Sequence, residues 1–198
     1  MNDTLRYYNS KAFSYTADTC DAKVNELQDA FLTRLPIGGY ILDFGCGSGR
    51  DTKCFVEHGF QVDATDGSEE LCKIASAYTG VKVNCMLFQE LDETDKYDGI
   101  WACSSILHLT KVELLDVFAR MIRSLHKDGI IYTSFKYGEF EGMRDNRHFT
   151  DFTDASFREY ISQISNLSIE KLWITSDVRP GRGDEKWLNL ILKKTDFH

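Results

Sequence analysis

The stretch ILDFGCGSGRD, residues 41–51, sets a carboxylate, Asp43, inside an apolar run and follows it with three glycines. A run such as Ile41-Leu42-Asp43-Phe44 is expected to be buried, and a buried carboxylate is costly unless something pairs with it. The expected partner is a ligand. Gly45, Gly47 and Gly49 let the backbone turn sharply and let that ligand approach the main chain with no Cβ in the way.

Outward from this stretch the segments alternate. Upstream, Val24, Leu27, Phe31 and Leu35 recur at helical spacing until Pro36 and Gly38-Gly39 end the pattern, and an aromatic N-terminal stretch (Tyr7, Tyr8, Phe13, Tyr15) precedes them. Downstream, the spacing predicts a helix over 50–58, a strand over 60–65 and a helix over 68–77, opened by Ser68 with Glu69 and Glu70 in its first turn. Residues 81–88 and 98–103 read as strands. Thr110-Lys111-Val112-Glu113 is a capping box, and Leu115, Phe118, Ile122 and Leu125 form an apolar stripe that Asp128-Gly129 ends. A strand at 130–135, a polar loop, a helix at about 153–164 and two β-like runs at 167–175 and 187–193 complete the chain. Strands alternating with helices predict a Rossmann-like, doubly wound α/β fold with a mostly parallel seven-stranded sheet and an antiparallel C-terminal edge strand. One domain over 1–198 is expected, with 1–35 a helical lid region and 36–198 the α/β core.

The composition agrees with a small-molecule enzyme. The chain has 198 residues, is 42% hydrophobic and carries a net charge of -8, which disfavours contact with nucleic acid or an anionic membrane. The start MNDTLRYYNS has neither a basic region nor an apolar core, so a cytoplasmic protein is expected. Six cysteines show no CxxC spacing and no clustering with histidine, so neither a disulfide nor a metal site is expected. The oligomeric state does not follow from the sequence.

In an open α/β sheet the ligand lies beyond the carboxyl ends of the strands, where strand order reverses. Asp66 ends the second strand, 21 residues after Gly45, the position of an acid that accepts hydrogen bonds from ribose hydroxyls. A dinucleotide site would read GxGxxG; residues 45–49 read GxGxG, and Asp43 would repel a pyrophosphate. It would suit an ammonium or a cationic cofactor. With these residues the chain resembles class I S-adenosylmethionine-dependent methyltransferases. YDGIWACSSILHL (97–109) is similar to that family's fourth-strand segment, and LHKDGIIYTSFK (125–136) to its helix, turn and fifth strand. Within the family it is most similar to the small single-domain group of tellurite-resistance-type and ubiquinone-biosynthesis-type enzymes.

The resemblance implies S-adenosylmethionine as cofactor, with Asp43, Gly45, Cys46 and Gly47 at its methionine end and Asp66 on the ribose. It implies Gly67 and Ser68 beside the adenine, with Leu87 and Phe88 where relatives carry Gly-Asp-Ala. Cys103 and Ser104 would lie near the methyl-bearing sulfur, and Tyr7 and Tyr15 would act as lid aromatics. The Asn/Asp-Pro-Pro-aromatic motif of enzymes that methylate exocyclic amines of bases or protein glutamine is absent, since the only prolines are Pro36 and Pro180. From the residues themselves, His108 is the candidate general base. Lys136, Arg144, Arg147, Arg179 and Arg182 are candidate holders of an anionic acceptor. Thiol catalysis by Cys46 or Cys103 is not expected, for want of a partner that would lower a thiol pKa.

Overall fold

The computed structural model describes residues 3–195. The chain runs α1 (Asp3–Thr19), α2 (Asn25–Leu32), β1 (Tyr40–Phe44), α3 (Arg50–Glu57), β2 (Gln61–Asp66), α4 (Glu69–Thr79), β3 (Val83–Cys85) and β4 (Tyr97–Ala102). It continues with α5 (Lys111–Ser124), β5 (Leu125–Lys136), β6 (Glu141–Arg144), β7 (Arg147–Thr150), α6 (Asp154–Ile161), β8 (Leu167–Ser176) and β9 (Lys186–Lys194). Seven strands form one sheet in the order β3-β2-β1-β4-β5-β9-β8. The first five are parallel, while β9 runs antiparallel to both β5 and β8. Strand order therefore reverses between β1 and β4, and the crevice opens beyond their carboxyl ends.

Side-chain alternation along β1 divides the core. Leu42 and Phe44 face one side, where Leu114, Val117, Phe118 and Met121 of α5 and Phe157 of α6 pack against them and against β4, β5 and β9. Ile41 faces the other side, with Phe31 of α2, Phe55 of α3, Trp101 and Tyr132. By the same period Asp43 shares the face of Ile41 and points at α3. Trp101 and Tyr132 stack at 4.0 Å between centroids, and Phe31 lies 5.2 Å from Trp101.

Several elements differ from the sequence-based expectation. The third strand spans only Val83–Cys85; the chain then turns through a short 3-10 helix, Phe88–Glu90, where the Glu90 carboxylate accepts the Leu87 N–H at 2.7 Å. The N-terminal aromatic stretch, for which the expected helical region 1–35 gave no bounds, is a 17-residue helix. The polar loop after β5 is a hairpin, β6–β7, closed by Asp145 and Asn146, which both adopt positive φ (48° and 61°), as a tight type I′ connection requires. That hairpin packs against α1 and the segment after β4.

Phe31 is fully buried and joins α2 to the sheet through Trp101 and Phe55. Phe31→Ala should cost about 3–5 kcal/mol of stability, read from the urea midpoint; a loss below about 1 kcal/mol would mean that α2 is held by other contacts.

Candidate active site

Two cavities meet at the carboxyl edge of β1 and β4. The first is lined by Gly47, Asp66, Gly67, Met86, Leu87 and Phe88, with Leu5 of α1 on its roof. The second is bounded by Arg50, Asp51, Cys103, Lys136, Arg147 and Phe149, with Arg179 and Arg182 from the β8–β9 turn. Tyr8, Tyr15, Gly45, Ser104 and His108 line both, so the two are parts of one cleft.

The glycine turn creates that junction. Gly45 has φ +87°, and a Cβ there would stand 2.5 Å from the Ser105 Cβ and 3.2 Å from the Phe88 ring. At Gly47, φ is +55° and a Cβ would meet the Tyr15 ring at 3.1 Å. Opposite them Ser104 is itself left-handed (φ 53°), a sparsely populated state for serine. Its N–H donates to Ser134 Oγ at 2.9 Å, which holds the turn after β4 against β5.

Asp66 lies at the floor of the first cavity. Its carboxylate accepts the Gly47 N–H at 2.9 Å and the Ser68 N–H at 2.8 Å, with no cation beside it among the described residues. Burial raises its pKa, and the backbone N–H groups of Ser68, Gly47 and Gly67 offset part of that rise. Asp43 is placed differently from the expectation. It is 2% exposed, lines neither cavity, and accepts the Thr52 hydroxyl at 2.5 Å. Burial, then repulsion from Asp51, push its pKa up. The carboxylate that reaches the cleft on this side is Asp51, which accepts from Nε and Nη2 of Arg50 (2.9 and 2.7 Å), from Trp101 Nε1 (2.9 Å) and from Gln28 (2.7 Å). Burial opposes its ionisation, but these donors outweigh it and hold its pKa down.

The other expected residues divide as follows. Gly45, Cys46, Gly47, Gly67, Leu87, Phe88, Cys103, Ser104 and Tyr15 all line the cleft. Ser68 does not; it is fully buried, caps α4 by accepting the Leu71 N–H, and donates to Asn9 of α1. Tyr7 does not line the cleft either, and its ring lies under the Arg147 guanidinium at 4.3 Å. Lys136, Arg147, Arg179 and Arg182 converge on the second cavity, whereas Arg144 is held outside it by Asp151 (3.1 and 2.6 Å) and the Phe140 ring. Burial raises the Cys103 thiol to about 11, in keeping with a packing role. A Cys–His contact does exist at Cys54 and His58 on α3, but neither residue lines the cleft.

Tyr8 is the residue that sequence reasoning passed over. Thr4, Tyr8, Ala12, Tyr15 and Thr19 occupy one stripe of α1, at spacings of four, four, three and four, and the Tyr8 and Tyr15 rings meet edge-on at 5.2 Å. Helical spacing alone favours Tyr8 with Tyr15, seven apart, over Tyr7 with Tyr15, eight apart. Tyr8 also explains His108. Nδ1 of His108 faces the His148 carbonyl at 2.6 Å and must donate to it, so in the neutral ring Nε2 accepts the Tyr8 hydroxyl at 2.7 Å. Burial lowers the His108 pKa to about 4, with the nearby Arg147 charge acting in the same direction. The imidazole is thus neutral, and its one lone pair is committed to Tyr8 rather than open to a substrate.

This has a pH signature. A histidine in the unfolded chain protonates below about 6.5, whereas His108 in the fold resists until about 4. Its contribution to stability is complete above the unfolded value and is lost as pH falls from about 6.5 through 4. Thermal melts of His108→Gln should therefore fall less steeply than those of the parent across this window; parallel slopes would mean that His108 titrates normally.

A family model described as a methyltransferase domain matches residues 41–129. The Bacillus subtilis protein YqeM, whose name assigns it methyltransferase activity only provisionally, is 32% identical over 144 residues, 67% of this chain and 54% of that protein. The N-terminal Xaa-Pro-Lys N-methyltransferase 1 of Xenopus tropicalis is 36% identical over 100 residues, 46% of this chain and 45% of its own. The chain spans about half the length of these two relatives. Among solved structures, the 1,6-didemethyltoxoflavin-N1-methyltransferase of Burkholderia thailandensis, with bound 1,6-didemethyltoxoflavin and S-adenosylhomocysteine, superposes with a TM-score of 0.76 at 22% identity, covering 97% of this chain and 87% of that one. The magnesium protoporphyrin IX methyltransferase of Synechocystis, with bound S-adenosylmethionine, gives 0.69 at 16% identity, with 98% of each chain covered. The cleft fits that cofactor: Asp66 keeps lone pairs for hydroxyl donors, and Gly45 and Gly47 leave a cradle that side chains would fill. Asp66→Ala should weaken S-adenosylhomocysteine binding by about 1.5–3 kcal/mol in calorimetry, and should also lower stability, because it frees the Gly47 and Ser68 N–H groups. By its matched segment 41–129, its sheet order and the shape of its cleft, this chain carries a methyltransferase domain with the class I S-adenosylmethionine-dependent methyltransferase fold.

Proposed function

We propose that this chain transfers the methyl group of S-adenosylmethionine to a small anionic acceptor. The observation that carries the reading is the shared wall. One cavity holds the ribose-type acid and the glycine cradle, the other is ringed by cations, and Tyr8, Tyr15, Gly45, Ser104 and His108 border both. When bound, the cofactor supplies an already activated methyl on sulfonium, so the protein's part is to position, desolvate and exclude water.

In this reading Asp66 holds the ribose hydroxyls, Gly67, Leu87 and Phe88 flank the adenine, and Gly45, Cys46 and Gly47 lie along the methionine portion. Residues 1–35 serve as a lid whose Tyr8 and Tyr15 cover the junction. His108 acts as a positioning residue that fixes the Tyr8 proton, since a pKa of about 4 makes it a weak base at neutral pH. Arg50, Lys136, Arg147, Arg179 and Arg182 outnumber Asp51, Asp177 and the adjoining Glu185, which favours a negatively charged acceptor.

The test is a parallel calorimetric titration with S-adenosylmethionine, S-adenosylhomocysteine and NADH, followed by transfer of labelled methyl to small carboxylates and phosphates. Micromolar binding of the two sulfur compounds without NADH, and label in an anionic product, is the expected result. Binding of NADH alone would overturn the cofactor reading, and binding of S-adenosylmethionine without transfer to any acceptor would favour a catalytically silent binding protein.

A further inference from the structure

As sequence, the five candidate cations are interchangeable; the tertiary structure separates them. Arg179 is paired with Asp177 at 2.5 Å, and Arg182 with Glu185 at 2.5 Å. Lys136 pairs with Glu185 and lies 3.7 Å from Asp177, while Arg144 is held by Asp151 outside the cleft. Arg147 alone among them has no carboxylate within ion-pair distance among the described residues. Its guanidinium lies 4.3 Å over the Tyr7 ring and 5.1 Å from the Phe149 centroid, and its Nε is buried with no hydrogen-bond partner.

A buried donor without a partner is costly, so its retention in a cleft points to a ligand atom that satisfies it. The guanidinium lies against the Tyr7 and Phe149 rings and beside the Tyr8 hydroxyl, which leaves its Nε edge for recognition, and such an edge matches a carboxylate bidentately. Asp51 and Asp177, which both line this cavity, disfavour a dianion. Tyr8, with its hydroxyl hydrogen committed to His108 and its oxygen beside the Arg147 guanidinium, keeps a lone pair at the junction that suits an acceptor carrying an O–H or N–H.

We infer that Arg147 holds the carboxylate of a small monocarboxylate acceptor, a statement that rests on the methyl-transfer reading and narrows its acceptor class. Lys136, Arg179 and Arg182, paired with Asp177 and Glu185, shape the cavity wall rather than hold the ligand's charge.

The probes are 3-hydroxybenzoate and 3-aminobenzoate, titrated calorimetrically into the full chain saturated with S-adenosylhomocysteine, with 3-hydroxybenzamide and inorganic phosphate as comparisons. Both carboxylates should bind at least tenfold tighter than the amide. Arg147→Gln should lose at least tenfold of that affinity while its affinity for S-adenosylhomocysteine stays within threefold, and Arg147→Lys, which keeps the charge but not the fork, should recover only part. Should Arg147→Gln fail to fold, Arg147→Lys carries the same comparison. Undiminished carboxylate binding by the variants, phosphate binding in place of carboxylate, or no carboxylate binding to the loaded parent would overturn the inference. So would a tenfold fall in S-adenosylhomocysteine affinity on substitution, since Arg147 would then serve the cofactor. A parent chain that does not bind S-adenosylhomocysteine at all would bring down the methyl-transfer reading itself.

Discussion

The cleft depends on the close approach of Gly45 to Ser105. The Ser105 hydroxyl donates to the Phe44 carbonyl at 2.7 Å and so ties the carboxyl end of β1 to the segment after β4. Gly45 then turns left-handed with no space for a Cβ between itself and Ser105. Its N–H and that of Cys46 both donate to the Thr65 carbonyl (2.9 and 2.8 Å), which fastens the turn to β2 as well. The Gly47 N–H consequently reaches Asp66, and Ser104 is held where both cavities share it. The adjacent parallel strands set the direction of the crevice, and this one contact sets its width.

Charge in the cleft is organised by pairing. Asp51 gathers Arg50, Trp101 and Gln28 around one carboxylate, and the Arg50 it holds also faces the Thr19 carbonyl at 3.5 Å, linking α3 to the end of α1. Asp43, one layer behind, has a threonine hydroxyl as its donor and an acidic neighbour whose repulsion outweighs the attraction of Arg50, and burial drives it toward its neutral form. Of two nearby acids, the one with cationic and N–H partners ionises, while the one without them resists ionisation. At the opposite wall Asp177 accepts from Arg179 and from Trp187 Nε1, and Glu185 from Lys136 and Arg182, so a set of charges that looks strongly basic in sequence is largely neutralised within the fold.

Local patterns were legible where local physics dominates. Helix stops at Gly59 and Gly80, the capping box at Thr110, the apolar alternation of the strands and the glycine turn with its downstream acid all act over a few residues, and the structure places these features near their expected positions, whereas α5 ends at Ser124, ahead of the expected stop at Asp128-Gly129, and Leu125 opens β5. The β6–β7 hairpin was missed because its signal, two residues with positive φ between short half-buried strands, is brief and polar, and so resembles a loop. Asp43 was expected to face a ligand because its carboxylate sits beside the glycines. Side-chain alternation, already present in Ile41-Leu42-Asp43-Phe44, sends it instead to the α3 face.

The sequence by itself determined the fold class and the glycine turn and downstream acid at the carboxyl edge of the sheet, because those features are properties of contiguous segments in a parallel sheet. Only the tertiary structure decided which tyrosine joins His108, that Arg144 lies outside the cleft, and that Arg147 is the candidate cation without a carboxylate partner among the described residues. Those outcomes depend on contacts between residues a hundred or more positions apart, as between Tyr8 and His108, or on hairpin geometry that seats one arginine inside the cleft and its neighbour outside. Electrostatic pairing depends on distance in space, and distance along the chain does not encode it.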